Sequence, residues 1–165
     1  QWSAVLPIGA SNFTNDLAMV LRTPFAEAER IKTKNGCCLG SLVAEDDGVA
    51  VPSVAGGAPR VVARRELADI LQPRAEELFH LAWDEISKAG YEKSLNSGLV
   101  LTGGGAVLDG LSEIAEQIFD LPMRRGMPAG VRSRTCSSTT CVGARPSRQI
   151  RTQVLSHLAI TRSAN

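Results

Sequence analysis

One stretch constrains the chain more than any other: Ser97-Gly98-Leu99-Val100-Leu101-Thr102-Gly103-Gly104-Gly105-Ala106, running on into Val107-Leu108-Asp109-Gly110-Leu111. A short apolar strand ends in three consecutive glycines, and a helical pattern starts within a few residues. Without a Cβ, glycine adopts dihedrals closed to other residues and lets a ligand lie against bare main chain. A helix beginning just beyond offers free N–H groups and the positive end of its dipole, which suits an anion. The stretch reads as a nucleotide-contacting turn. Three glycines equally suit a tight strand-to-helix connection with no ligand, and the spacing matches neither the P-loop nor the dinucleotide fingerprint.

At 165 residues and 44% hydrophobic content the chain has room for one domain or two small subdomains. Its charge is unevenly placed. Of 18 Lys and Arg, six fall at or beyond Arg132, where there is no Asp or Glu, which leaves 12 against all 17 acidic residues in 1–131. That part is therefore acidic and unsuited to holding nucleic acid on a broad basic surface. Nothing approaches the roughly 20-residue apolar run of a membrane span. The opening Gln1-Trp2-Ser3 lacks an initiator Met and a signal peptide, as expected of a piece of a longer protein. Cys37-Cys38 are adjacent and Cys136 and Cys141 lie in the tail, without metal-ligand spacing, so free thiols in a reducing cytoplasm are expected.

The patterning predicts alternating elements. Residues 2–8 read as a strand, and Thr14 as the cap of a helix bearing Leu17, Val20 and Leu21. Thr23 then caps a second helix with Pro24 at its first position, carrying Glu29 and Lys32 and stopping at Asn35-Gly36. Leu42-Val43-Ala44, Val49-Ala50-Val51 and Arg60-Val61-Val62 predict a small antiparallel sheet with turns at Asp46-Asp47-Gly48 and Gly56-Gly57-Ala58-Pro59. The longest helix spans about 64–89, with Leu67, Ile70, Leu71, Leu78, Phe79, Ala82 and Ile86 on one stripe, a bend at Pro73 and an end at Gly90. Strand 98–101, a helix near 110–119 and a short strand over 121–125 follow. Beyond Val131 no periodicity survives. That segment reads as disorder or an out-of-register translation, with a basic tail binding anionic lipid or RNA as the lesser alternative.

In this order the motifs resemble FtsA, the bacterial cell-division family of the actin/Hsp70 nucleotide-binding fold. The residues that carry it are Leu6-Pro7-Ile8-Gly9, Thr14-Asn15-Asp16-Leu17-Ala18, Leu21-Arg22-Thr23-Pro24-Phe25-Ala26-Glu27-Ala28-Glu29-Arg30-Ile31-Lys32, Val51-Pro52-Ser53-Val54, Pro59-Arg60, Arg64, Leu67-Ala68, Pro73-Arg74, Leu101-Thr102-Gly103-Gly104-Gly105-Ala106, Leu121-Pro122 and Arg124-Arg125-Gly126. The resemblance implies an α/β, actin-like (ribonuclease H-like) ATPase fold, second lobe only. Its parts would be a core subdomain (1–35 and 95–131), a small inserted α+β subdomain (36–94), and a non-homologous, disordered tail (132–165). It implies that Gly103, Gly104 and Gly105 touch the adenosine side of ATP, with Glu29 on the ribose hydroxyls and Lys32 beside the base. The alternative for that pair is an exposed i,i+3 ion pair contributing about 0.2–0.5 kcal/mol.

The resemblance further implies that the protein ties FtsZ filaments to the inner face of the cytoplasmic membrane during septum formation, associates with itself into filaments, and meets other divisome proteins. Arg64, Arg65 and Arg74 stand in the first half of the long helix, where cations at the very start oppose the dipole. An acidic partner, the FtsZ C-terminal peptide, would account for them; ordinary surface charge is the alternative. His80, off the apolar stripe, reads as solvated, and Trp2 and Trp83 as packing residues. The first nucleotide lobe, the loop holding phosphates and Mg2+, and the terminal membrane helix have no counterpart here. The chain alone is therefore expected to bind ATP weakly or not measurably and to hydrolyse none. A lobe of an actin-fold small-molecule kinase is the enzymatic alternative, and a chaperone-like lobe has less support.

Overall fold

The glycine turn sits between a strand buried on both faces and a strongly amphipathic helix. β3 (Leu99–Thr102) runs between β4 (Met123–Arg125), parallel to it, and β5 (Ala159–Arg162), antiparallel. The registers align Leu99 with Met123 and Leu99 with Arg162. Leu99, Val100 and Leu101 are all buried, as a central strand requires. The chain returns from β3 to the parallel β4 through α4 (Leu111–Phe119), whose Leu111, Ile114, Ala115 and Phe119 face the core. The computed structural model describes residues 3–44, 46–52, 58–91, 95, 98–126 and 159–162.

Ahead of this unit lie α1 (Ala10–Leu21), α2 (Phe25–Asn35), a two-stranded antiparallel sheet of β1 (Gly48–Val51) and β2 (Arg60–Ala63), and α3 (Arg64–Lys88). α3 buries Leu67, Leu71, Leu78, Phe79 and Ala82, while Ile70 and Ile86 pack partly buried against them. Full burial of a Leu or Phe side chain contributes about 1.5–3 kcal/mol. Phe119 stands edge-on to Phe79 (5.9 Å) and to Trp83 (5.6 Å), which locks α4 onto α3. One continuous apolar cluster joins residues of 1–35, 36–94 and 95–131. Pro73 lies inside α3, and Gly90 follows its end with φ +72°.

Several expected elements form differently. Residues 3–8 make no strand among the described residues; Val5 is 84% exposed, and with no neighbouring strand an extended segment has no ladder to join. α1 starts earlier than a Thr14 cap would place it. Gly9 is the cap residue, its N–H bonded to Asn12 Oδ1 (3.0 Å), and Thr14 lies inside the helix, wholly buried. α2 begins at Phe25 with Pro24 as its cap, and the Thr23 hydroxyl instead donates to Pro52 O (2.9 Å). Residues 42–44 are not a strand: Gly40–Leu42 forms a 3₁₀ turn. The expected hairpin with 49–51 does not form: β1 pairs with β2, and Asp47 O accepting Arg64 N–H (2.7 Å) continues that ladder by one residue. The expected glycine turn at 56–57 and most of 132–165 lie outside the described residues, while Ala159–Arg162 of that tail form β5.

Candidate functional site

The turn after β3 is built to be open. Gly103 takes φ +100° and ψ 175°, a conformation that L side chains rarely adopt. Gly104 opens a 3₁₀ turn (Gly104–Val107), and a Cβ placed on it would meet nothing within 4 Å. The turn is held by Ala106 N–H to Gly103 O (3.2 Å) and Leu108 N–H to Gly105 O (3.1 Å). These three glycines therefore expose main chain at the carboxyl end of a central strand, where open α/β sheets take ligands.

α2 reaches the same region by its C-terminal end. A Cβ on Gly36 would stand 2.8 Å from Leu108 Cδ1, Cys37 bridges Asp109, and Cys38 N–H donates to Asp109 O (2.7 Å). The segment that follows α2 and the segment that follows the glycine turn thus meet at residues 36–38 and 108–109. Cys37 and Cys38 are free, buried thiols; burial, with the charges of Cys37 and Asp109, pushes the Cys38 thiol up to about 12.

Glu29 and Lys32 do not stand as a simple exposed pair. Lys32 is 8% exposed, and its ammonium donates to Glu29 Oε2 (2.7 Å), Thr14 Oγ1 (2.8 Å) and Ala10 O (3.1 Å), which satisfies all three of its donors. The Thr14 hydroxyl also reaches Glu29 Oε2 and Ala10 O; with one proton it donates to one of them at a time. Burial would raise the Glu29 carboxyl. The hydrogen bonds from Lys32 and Thr14, with the Lys32 charge, outweigh it and hold the group below its ordinary value. Lys32 is thus tied into α1, whereas the Glu29 side chain remains 44% exposed with both bonds on a single oxygen.

The arginines also find partners inside the chain. Arg64 Nε donates to Asn35 O (2.8 Å), and its terminal nitrogens pair with Asp47 (3.2 Å) and Asp109 (3.3 Å). Arg74 pairs with Asp16 (2.7 Å) and Glu77; the Asp16 hydrogen bond, slightly opposed by burial and aided by both charges, raises the guanidinium above its ordinary value. Arg65 follows Arg64 on α3. These contacts supply the reason for cations at this end of the helix that the dipole could not. Thr14, Asp16, Asp47 and Asp109 carry these contacts, and no local pattern marked them, because each pairs with a residue distant in sequence. His80 is exposed on α3. Among the described residues no group of three His, Cys, Asp or Glu could hold a metal ion. No described helix is long and apolar enough to cross a membrane.

The mixed α/β scaffold is that of a partial actin-like fold. MreB5 of Spiroplasma citri, solved bound to ADP, superposes with a TM-score of 0.57 at 17% identity, covering 71% of this chain and 39% of that one. A family model described as Cell division protein FtsA matches residues 1–143, and the chain belongs to that family of cell-division proteins. Relatives include FtsA of Pseudomonas aeruginosa, 43% identical over 133 residues, covering 81% of this chain and 32% of the relative. FtsA of Escherichia coli is 38% identical over 138 residues (79% and 33%), and that of Neisseria meningitidis 37% over 147 (86% and 36%). The chain spans about a third of the length of these curated relatives. The matched span ends at Gly143, beyond the boundary expected at Val131.

Proposed function

We propose that this chain supplies one wall of an ATP site in a cell-division protein that joins FtsZ filaments to the cytoplasmic membrane. The observation that carries the reading is the unfilled space over Gly104, beside a glycine with φ +100° at the end of the central strand. Gly103, Gly104 and Gly105 would lie under the nucleoside. Glu29, held ionised, would accept from ribose hydroxyls through the oxygen that Lys32 and Thr14 leave unused. Lys32 would act mainly by holding Glu29 and the α1–α2 packing, with its stem rather than its ammonium near the base. Mg2+ and the phosphates would be held by parts of the protein outside the residues described. Membership of the family supports the division role over that of a small-molecule kinase. Self-association and other divisome partners rest on the same membership.

Replacing Gly104 with Val tests the nucleotide reading cleanly, because the space is open and its φ is not in the left-handed region. In the intact protein the variant should melt as the wild type does yet lose binding of a fluorescent ATP analogue. Unchanged binding would remove the glycine turn from the site. For the partner, a pull-down on an FtsZ C-terminal peptide should weaken on charge reversal at Arg65.

A further inference from the structure

Arg64 lies where four parts of the chain converge, and its geometry fits an internal clamp. A guanidinium carries five donors in a rigid plane, so it can serve acceptors from several directions at once. Here three different donors reach the last residue of α2 (Asn35 O, 2.8 Å), the turn before β1 (Asp47 Oδ2, 3.2 Å) and the corner before α4 (Asp109 Oδ2, 3.3 Å). The Arg64 backbone N–H adds a bond to Asp47 O (2.7 Å). The Arg64 side chain is 23% exposed, while the carboxylates of Asp47 (44%) and Asp109 (59%) are open to solvent, so the clamp acts through the geometry of its three bonds rather than through a buried charge. Asp109 is doubly tied, since its carbonyl also accepts Cys38 N–H (2.7 Å).

The corner matters because of what precedes it. From Gly103 to Asp109 the chain is a single 3₁₀ turn and two further residues. β3 fixes its upstream end. We propose that Arg64, through Asp109, is a positioning residue for the Gly103–Gly105 turn, holding the downstream end so that the glycine main chain is ordered before a nucleotide arrives. Ordering a flexible wall in advance removes part of the entropy that binding would otherwise cost. This inference rests on the nucleotide reading of the turn. It also makes that affinity sensitive to anything that moves Asp47 or the start of α3.

The test measures two quantities in the intact protein: affinity for a fluorescent ATP analogue, and amide exchange at Ala106 and Leu108. The variants are Arg64→Ala, Arg64→Lys, Asp109→Asn and the double variant Arg64→Ala/Asp109→Asn. Arg30→Ala, which breaks an exposed pair with Glu27, is the control. Arg64→Ala and Asp109→Asn should each weaken binding about 5- to 10-fold, in the usual range of coupling between sites, and speed exchange at those two amides. The double variant should be no weaker than Arg64→Ala. Arg64→Lys should recover little, because one ammonium cannot span both carboxylates and Asn35 O. Unchanged affinity and exchange in Asp109→Asn, or additive losses in the double variant, would overturn the clamp. Asp109→Asn barely alters volume, so it decides the matter even if Arg64→Ala fails to fold. If the wild type binds no analogue, the nucleotide reading falls, while the exchange rates still judge the clamp.

Discussion

Lys32→Met separates an internal tie from a ligand contact. Methionine keeps the length and apolar stem of lysine, so packing is preserved and only the ammonium is removed. The wild-type ammonium makes bonds of 2.7, 2.8 and 3.1 Å and is almost fully buried. Hydrogen bonds to charged groups contribute about 1.5–3 kcal/mol each. The three share one donor group, and Glu29 can turn to water once released, so the sum is not reached. Thr14 Oγ1 and Ala10 O keep each other as partners, which limits the unsatisfied remainder. The expected loss is about 2–4 kcal/mol, or a melting temperature lowered by roughly 6–12 °C for a chain of this size. Thermal unfolding followed by circular dichroism, with urea titration alongside, measures it. A loss below about 0.5 kcal/mol, the value of an exposed ion pair, would refute the reasoning. So would undiminished stability accompanied by loss of ATP-analogue binding, which would make the ammonium a ligand contact.

Three further outcomes are expected. Glu29 has a depressed folded-state value, so its contribution is present above the unfolded value and lost as pH falls through the folded one; the stability gap between wild type and Glu29→Gln should therefore narrow as pH falls below the ordinary glutamate range, and a gap equal at pH 3 and 7 would contradict this. Gly110→Ala should destabilise the chain by at least about 1–2 kcal/mol in chemical denaturation, because φ is +79° and the new Cβ would lie 2.8 Å from Leu39 N and Cβ; a neutral result would mean the corner is looser than described. Cys37 and Cys38 should resist iodoacetamide in the native protein and react after denaturation, since both are buried and the Cys38 thiol stays protonated at ordinary pH; peptide mapping would report modification at either residue.

Much of the architecture was legible as pattern. The stripe from Leu67 to Ile86 and the Asn35-Gly36 stop located α3 and the end of α2, because a helix writes its buried face at three- and four-residue steps. Short apolar runs were less reliable. Leu42-Val43-Ala44 has strand composition, yet Gly40–Leu42 closes into a 3₁₀ turn through Leu42 N–H to Leu39 O (3.1 Å) and Val43 N–H to Gly40 O (3.3 Å). The segment 3–8 failed likewise, since a strand exists only through a neighbour and none is present among the described residues.

By itself, then, the sequence determined the helices, the central strand, the glycine turn and the family, because these depend on local periodicity or on motifs whose order survives reading along the chain. Tertiary structure alone decided which charges meet. Arg64 and Asp109 are 45 residues apart, Arg74 and Asp16 are 58, and Lys32 reaches Thr14 across 18. Contacts between distant residues follow no period along the chain, so only the fold shows Arg64, Arg74 and Lys32 tied to Asp109, Asp16 and Thr14.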